Sequence, residues 1–128
     1  MVFKLMAIEY KNSLVNVTTA GSDQVVYTCP TTTTLVKYMA IVKTFTIYNT
    51  TGGAGTVDIK VVDTSAGATA RTVKHFTATD FTTKATVNVM ANGPIVLESA
   101  DILKIDTSVQ PATVFMSIME VSDDLRGV

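Results

Sequence analysis

The side chains of this chain that could do chemistry are few and scattered. Asp58, Asp63, Asp101, Asp106, Asp123 and Asp124 are the carboxylates from which a metal site or a glycosidase pair would have to be built. A calcium loop needs oxygen ligands at alternate positions around a glycine, and no segment has that spacing. Asp101 falls at a strand start and Asp106 at a strand end, where aspartate commonly caps or turns the chain. Asp58 and Asp63 fall on opposite faces if their strand is regular. His75 is the only histidine and stands between Lys74 and Phe76. One imidazole makes neither a metal site nor a catalytic triad.

The remaining candidates reduce to structure in the same way. Cys29 is the only cysteine; it has no disulfide partner and no histidine nearby in sequence, so it reads as a small buried apolar residue. Gly52-Gly53-Ala54-Gly55 has the glycines of a phosphate cradle but lacks the Lys-Ser/Thr pair that opens a helix after it. Thr56-Val57-Asp58-Ile59 follows instead, which reads as a strand. Asn16-Val17-Thr18 and Asn49-Thr50-Thr51 match the glycosylation acceptor, a short pattern that a threonine-rich chain carries by chance. Tyr10, Tyr27, Tyr38, Tyr48, Phe45, Phe76, Phe81 and Phe115 share no common spacing and are expected to pack rather than to stack on a ligand. No catalytic, cofactor-binding or metal-ligating set emerges, no cofactor is expected, and the chain is not read as an enzyme.

The elements that hold these residues are legible from alternation. In 38–48, Met39, Ile41, Phe45 and Ile47 fall on one side and Tyr38, Val42, Thr44, Thr46 and Tyr48 on the other, the period of two that a half-buried strand requires. The long segment 35–49 is expected as one bent strand or as two broken near Ala40. Further strands are expected at 14–19, 24–28, 56–63, 71–76, 84–90, 95–98, 102–106 and 113–121. Turn residues separate them: Ala20-Gly21-Ser22-Asp23, Cys29-Pro30, the glycine run at 52–55, Thr64 to Thr69, Ala91-Asn92-Gly93-Pro94 and Gln110-Pro111. The strands flanking the glycine run are expected to form a hairpin with a long loop. No stretch keeps a 3.6-residue period. Eight or nine short strands with short connections predict an all-β fold, an antiparallel β-sandwich of jelly-roll-like or immunoglobulin-like form. Residues 1–12 are expected as an N-terminal arm or short element, 13–121 as one sandwich domain, and 122–128 as a polar, frayed tail.

Composition narrows the function classes. The chain has 128 residues, 47% of them apolar and 16% charged, with a net charge of −1. That length suits one domain, and the apolar fraction argues against disorder. Threonine, about one residue in six, is β-branched and polar and suits the wet face of a strand. The basic residues are scattered, so nucleic acid is not an expected partner. No window is long and apolar enough to span a membrane, and the first ten residues lack a signal-peptide pattern. Low charge near neutrality favours association.

Two segments carry a resemblance. Tyr27-Thr28-Cys29-Pro30, a threonine-rich connector, Leu35-Val36-Lys37 and a strand closing on Tyr48-Asn49-Thr50 resemble the opening of small β proteins in tailed-bacteriophage virions. Asn92-Gly93-Pro94-Ile95-Val96-Leu97-Glu98-Ser99-Ala100-Asp101-Ile102-Leu103-Lys104-Ile105 resembles their closing segment, and the strand from Val114 to Val121 fits as well. Ala100 stands where that segment carries glycine, and alanine disfavours the left-handed turn that glycine permits. The likeness spans about 25–121. It implies a non-enzymatic virion protein made in the host cytoplasm, most concretely a head decoration (cement) subunit. Its implied partners are the major capsid protein or other virion proteins and copies of itself, with a trimer as the stoichiometry common to decoration proteins. A tail, collar or baseplate accessory is the alternative within that class, and a receptor- or carbohydrate-binding β module is the alternative outside it.

Overall fold

The computed structural model describes residues 6–51, 53–90, 93–109 and 111–124. Nine strands follow in order: β1 (Met6–Val17), β2 (Gln24–Thr28), β3 (Val36–Asn49), β4 (Val57–Val62), β5 (Ala70–Phe76), β6 (Thr86–Asn88), β7 (Ile95–Glu98), β8 (Ile102–Thr107) and β9 (Ala112–Asp124). The only helical element among the described residues is one 3-10 turn, Thr64–Ala66. Expectations for residues 1–5, for Gly52, for Ala91-Asn92, for Gln110 and for the tail beyond Asp124 lie outside the described residues.

The pairings are nested. β4 pairs with β5, β3 with both β6 and β7, β2 with β8, and β1 with β9, all antiparallel. A long antiparallel ribbon rolled up in this way closes laterally through β3·β9 and β4·β8. The result is two sheets, β1-β9-β3-β6 with β7 also on β3 (sheet A), and β2-β8-β4-β5 (sheet B). The expected β-sandwich is therefore of the jelly-roll kind. One expectation is corrected here. β3 and β4 form no hairpin, because the glycine-rich segment between them carries the chain from sheet A to sheet B. β3 already has partners on both edges and has none left for β4.

The core lies between the sheets. β9 contributes Ala112, Val114, Met116 and Ile118 in unbroken alternation. β3 contributes Ala40 and Val42, then Phe45 and Ile47. The change of phase comes from a bulge between Val42 and Thr44, where one extra residue on β3 opposes the regular β9. Met39 and Ile41 thus do not share the inner face with Phe45 and Ile47; they face outward, and Ala40 and Val42 take their place. Val57, Ile59, Leu103 and Ile105 line the facing side of sheet B. Phe81, in the connector before β6, is fully buried and plugs one end of the sandwich.

Residues 6–12 are strand, the outer half of β1, and Ser122–Asp124 continue β9. Ala100 adopts the left-handed region at φ 65° despite its side chain. The turn is held in place by Asp101, which accepts from Glu98 N at 2.9 Å and Thr64 N at 3.1 Å. Glycine is free of the Cβ clash at this φ but adds unfolded-chain entropy. Ala100→Gly is therefore expected to raise stability by up to about 1 kcal/mol, read as a higher urea midpoint; a fall of that size would show that the turn is not strained.

Candidate interaction surface

The six aspartates do not converge. Asp58 faces His75 across β4 and β5, with Oδ1 and Nδ1 2.6 Å apart. Asp106 lies 3.7 Å from Lys60 Nζ, which also binds Asp23 at 2.8 Å. Asp63 caps the 3-10 turn, and its carboxyl is held below the usual range, chiefly by the Ser65 hydroxyl. Asp101 is buried within the turn just described. Asp123 and Asp124 end β9. Among the described residues no group of three or more His, Cys, Asp or Glu could hold a metal ion, and no helix is long and apolar enough to cross a membrane.

Asn49, flagged in sequence as an acceptor asparagine, is buried and structural. Its Nδ2 donates to Gly53 O at 2.9 Å and Thr82 O at 3.1 Å, while its Oδ1 accepts from Thr51 N at 2.9 Å. These bonds tie the glycine-rich crossing to the connector that carries Phe81.

A second polar cluster joins the two sheets. Glu120 is only 8% exposed and points inward from β9. The Tyr27 hydroxyl of β2 donates to Glu120 Oε2, and Lys11 Nζ of β1 lies 2.9 Å from its Oε1. The two partners satisfy a carboxylate that would otherwise be costly to bury. The Lys11 ammonium is held above its ordinary pKa, chiefly by the bond to Glu120. Burial, more than Glu120 itself, raises the Tyr27 phenol. Sequence reading missed this cluster; its signal was a glutamate at 120 in the inward phase of an otherwise apolar strand.

Cys29 packs below this cluster with its thiol toward Leu97 O at 3.8 Å. Burial first, then the charges of Glu120 and Asp101, push the thiol from 9.0 up to about 11. Above pH 9 the unfolded chain releases this proton while the fold keeps it. Its contribution to stability is therefore full below pH 9 and is lost as pH rises through about 11. Urea midpoints measured across that window are expected to fall, and to fall less steeply in Cys29→Ala. Equal slopes in both proteins would contradict the assignment.

The two outer faces differ in kind. The outer face of sheet B presents Lys60, Asp58, Lys104, Asp106 and His75 on β4, β8 and β5. On sheet A the outward residues of β1 are Met6, Ile8, Tyr10 and Leu14, which lie opposite Asp123, Val121, Met119 and Phe115 of β9. Val121 and Met119 lie in turn opposite Met39 and Ile41 of β3, and Ile41 lies opposite Val96 of β7. One apolar surface thus runs across four strands. Met6, Tyr10 and Leu14 are 68%, 74% and 69% exposed. Contiguous exposed apolar surface of this kind marks an interaction site. The structure also brings Tyr10, Tyr48 and Phe115 onto this one face, although their sequence positions share no spacing. Beside Tyr38, two shallow cavities of about 330 and 150 Å³ notch the surface at Met39 and Lys37.

No family model matches the chain, and no curated protein matches it. Solved structures do. The chain is similar to a chain of the acidic stable capsid structure of Helicobacter pylori bacteriophage KHP30, at 10% identity and a TM-score of 0.52, with 96% of this chain and 94% of that one covered. The likeness is one of fold. A subunit of the Bacillus endospore appendages, described as disulfide-linked pili, aligns at 15% identity and TM-score 0.47 over 94% of this chain and 91% of that one. A pentameric capsid protein from metagenomic phage sequences aligns at 15% identity and TM-score 0.37 over 90% and 65%. Solved structures similar to this chain thus include capsid and pilus proteins and also a xylan-binding module, CBM15, at 8% identity and a TM-score of 0.38 over 100% of both chains.

Proposed function

We propose that this chain is a non-enzymatic virion structural protein, and most concretely a capsid decoration subunit that docks the outer face of sheet A on the shell. The observation that carries this reading is the asymmetry of the sandwich. One outer face is charged and suits solvent; the other is apolar across four strands and free of charge at its centre, around Met119, Ile41 and Val121. The jelly roll shared with a chain of a phage capsid and the resemblance to phage virion proteins both support it. Binding only to the assembled shell would stabilise the assembled state by mass action. Copies of the subunit, a trimer in the usual decoration arrangement, would brace neighbouring capsomers. A tail, collar or baseplate location would use the same face and is distinguished by electron microscopy of labelled particles. The test is binding of purified protein to expanded capsids that lack it. Saturable binding supports the reading, and no binding by folded protein overturns it.

The grouping of Tyr10, Tyr48 and Phe115 on one face favours a second reading, a carbohydrate-binding module that stacks sugars on exposed rings. Saturable hits on a glycan array, lost on Phe115→Ala, would replace the first reading with this one.

A further inference from the structure

β1 is the outermost strand of sheet A. Its second edge has no strand partner among the described residues over twelve residues, Met6–Val17. Natural edge strands are usually short, charged, broken by proline or covered, because an open row of N–H and C=O groups templates pairing with another chain. This one contains no proline and only two charges, Glu9 and Lys11.

We infer that the β1 edge pairs antiparallel with β1 of a second copy, about a two-fold axis through Tyr10, joining the two A sheets into one. The register follows from two requirements. Outward residues must meet outward residues, or the apolar face is broken by a flip of the pleat. The two-fold must therefore pass through a residue and not between two. An axis at Glu9 or at Lys11 sets that residue against its own copy, charge against like charge. An axis at Ile8 shortens the overlap to a few described residues, and one at Asn12 sets Glu9 against Val15. An axis at Tyr10 sets Glu9 of each copy opposite Lys11 of the other, twice, and such opposite-charge cross-strand pairs are stabilising. It also places Met6 opposite Leu14, Ile8 opposite Asn12 and Tyr10 opposite Tyr10, all on the apolar face.

Within its own subunit Lys11 binds Glu120 and also feels the charge of Glu9, which stands directly opposite Glu120 and forms no ion pair of its own among the described residues. The pairing gives Glu9 a cation and gives Lys11 a second carboxylate.

The inference adds a two-fold contact to the self-association in the reading above, separate from any three-fold one. It is tested on the isolated protein, so its failure leaves shell binding untouched and the failure of shell binding leaves it standing. The probe is cysteine cross-linking under a mild oxidant; the native Cys29 is buried and does not compete. Tyr10→Cys alone is expected to give a covalent dimer of twice 13.7 kDa. Leu14→Cys alone and Met6→Cys alone are expected to give little, but a mixture of the two should give the dimer. By sedimentation, Glu9→Lys, a change at an exposed side chain, is expected to weaken the dimer at least tenfold. A chain that is monomeric at all accessible concentrations, or one that cross-links better at position 14 alone than at position 10, overturns the inference.

Discussion

Truncating Phe81 to alanine is expected to cost about 3–5 kcal/mol of stability, the range for an aromatic side chain removed from a packed core. Phe81 is fully buried although it belongs to a connector. The hole it leaves has little freedom to collapse, because the connector backbone is fixed on both sides. Phe81 N donates to Thr77 O at 3.0 Å, Gly55 N donates to Phe81 O at 3.1 Å, and Asn49 Nδ2 holds Thr82 O. Any side chain at Gly55 would run into Ser108 and Val109, so the glycine-rich crossing passes close beside them. Urea unfolding is the measurement. Phe115→Ala is the reference, since that ring lies on the outer face at 42% exposure and its loss is expected to be far cheaper. Equal costs at the two positions would mean that the connector ring does not belong to the core.

The inner face explains why the chain folds, and the outer face of sheet A carries the proposed function. Lysines placed at Ile41 and Met119 would stand directly opposite each other across β3 and β9, at the centre of the apolar surface. Both positions face away from the core, so the fold tolerates long side chains there. Each lysine introduces a strongly hydrated charge that a close apolar contact would have to desolvate unpaired, at several kcal/mol. The expected result is the loss of shell binding by a factor of about a hundred or more, since 1.4 kcal/mol is already tenfold. The matching control is Val25→Lys, an exposed residue on β2 of sheet B beside Lys104, which is expected to leave binding within a few-fold of the parent.

Much of the fold was readable because most strands alternate cleanly and are bounded by turn residues. β9 shows why: Val114, Met116 and Ile118 keep a strict period of two against Phe115, Ser117 and Met119. β3 shows where that reading fails. Its alternation is as plain to the eye, but a one-residue bulge at Lys43 reverses the phase, and only the pairing with β9 reveals it. Partner choice was equally hidden. The glycine run between β3 and β4 has the composition of a hairpin loop, yet nested ribbon pairing sends the two strands to different sheets. Turn chemistry is local, whereas sheet membership is decided by contacts far apart in sequence.

The candidate surface was the least legible part. In β1, Met6, Ile8 and Tyr10 alternate with Ala7, Glu9 and Lys11, and the rule that apolar residues point inward assigns the faces the wrong way round. The charged set lies on the inner side because Lys11 is needed at Glu120. The apolar set is left outward, where it meets Val121 and Met119 of β9. Glu120 gave the one sequence hint of this inversion, a carboxylate in the core phase of an apolar strand. Its partners Lys11 and Tyr27 come from β1 and β2, in different sheets. Of the acidic residues that invited a metal or hydrolase reading, Asp58, Asp106, Asp63 and Asp101 are occupied locally by His75, Lys60, Ser65 and Thr64.

The most direct measurement is the binding isotherm of the Ile41→Lys, Met119→Lys double variant on expanded capsids lacking this protein, beside the parent and Val25→Lys. The account predicts saturable binding for the parent and for Val25→Lys, and none for the double variant at concentrations that saturate the parent. The double variant is expected to stay folded with a modestly lower urea midpoint, because the two lysines stand directly opposite each other. A double variant that remains folded and binds as tightly as the parent would contradict the claim that the outer face of sheet A meets the shell.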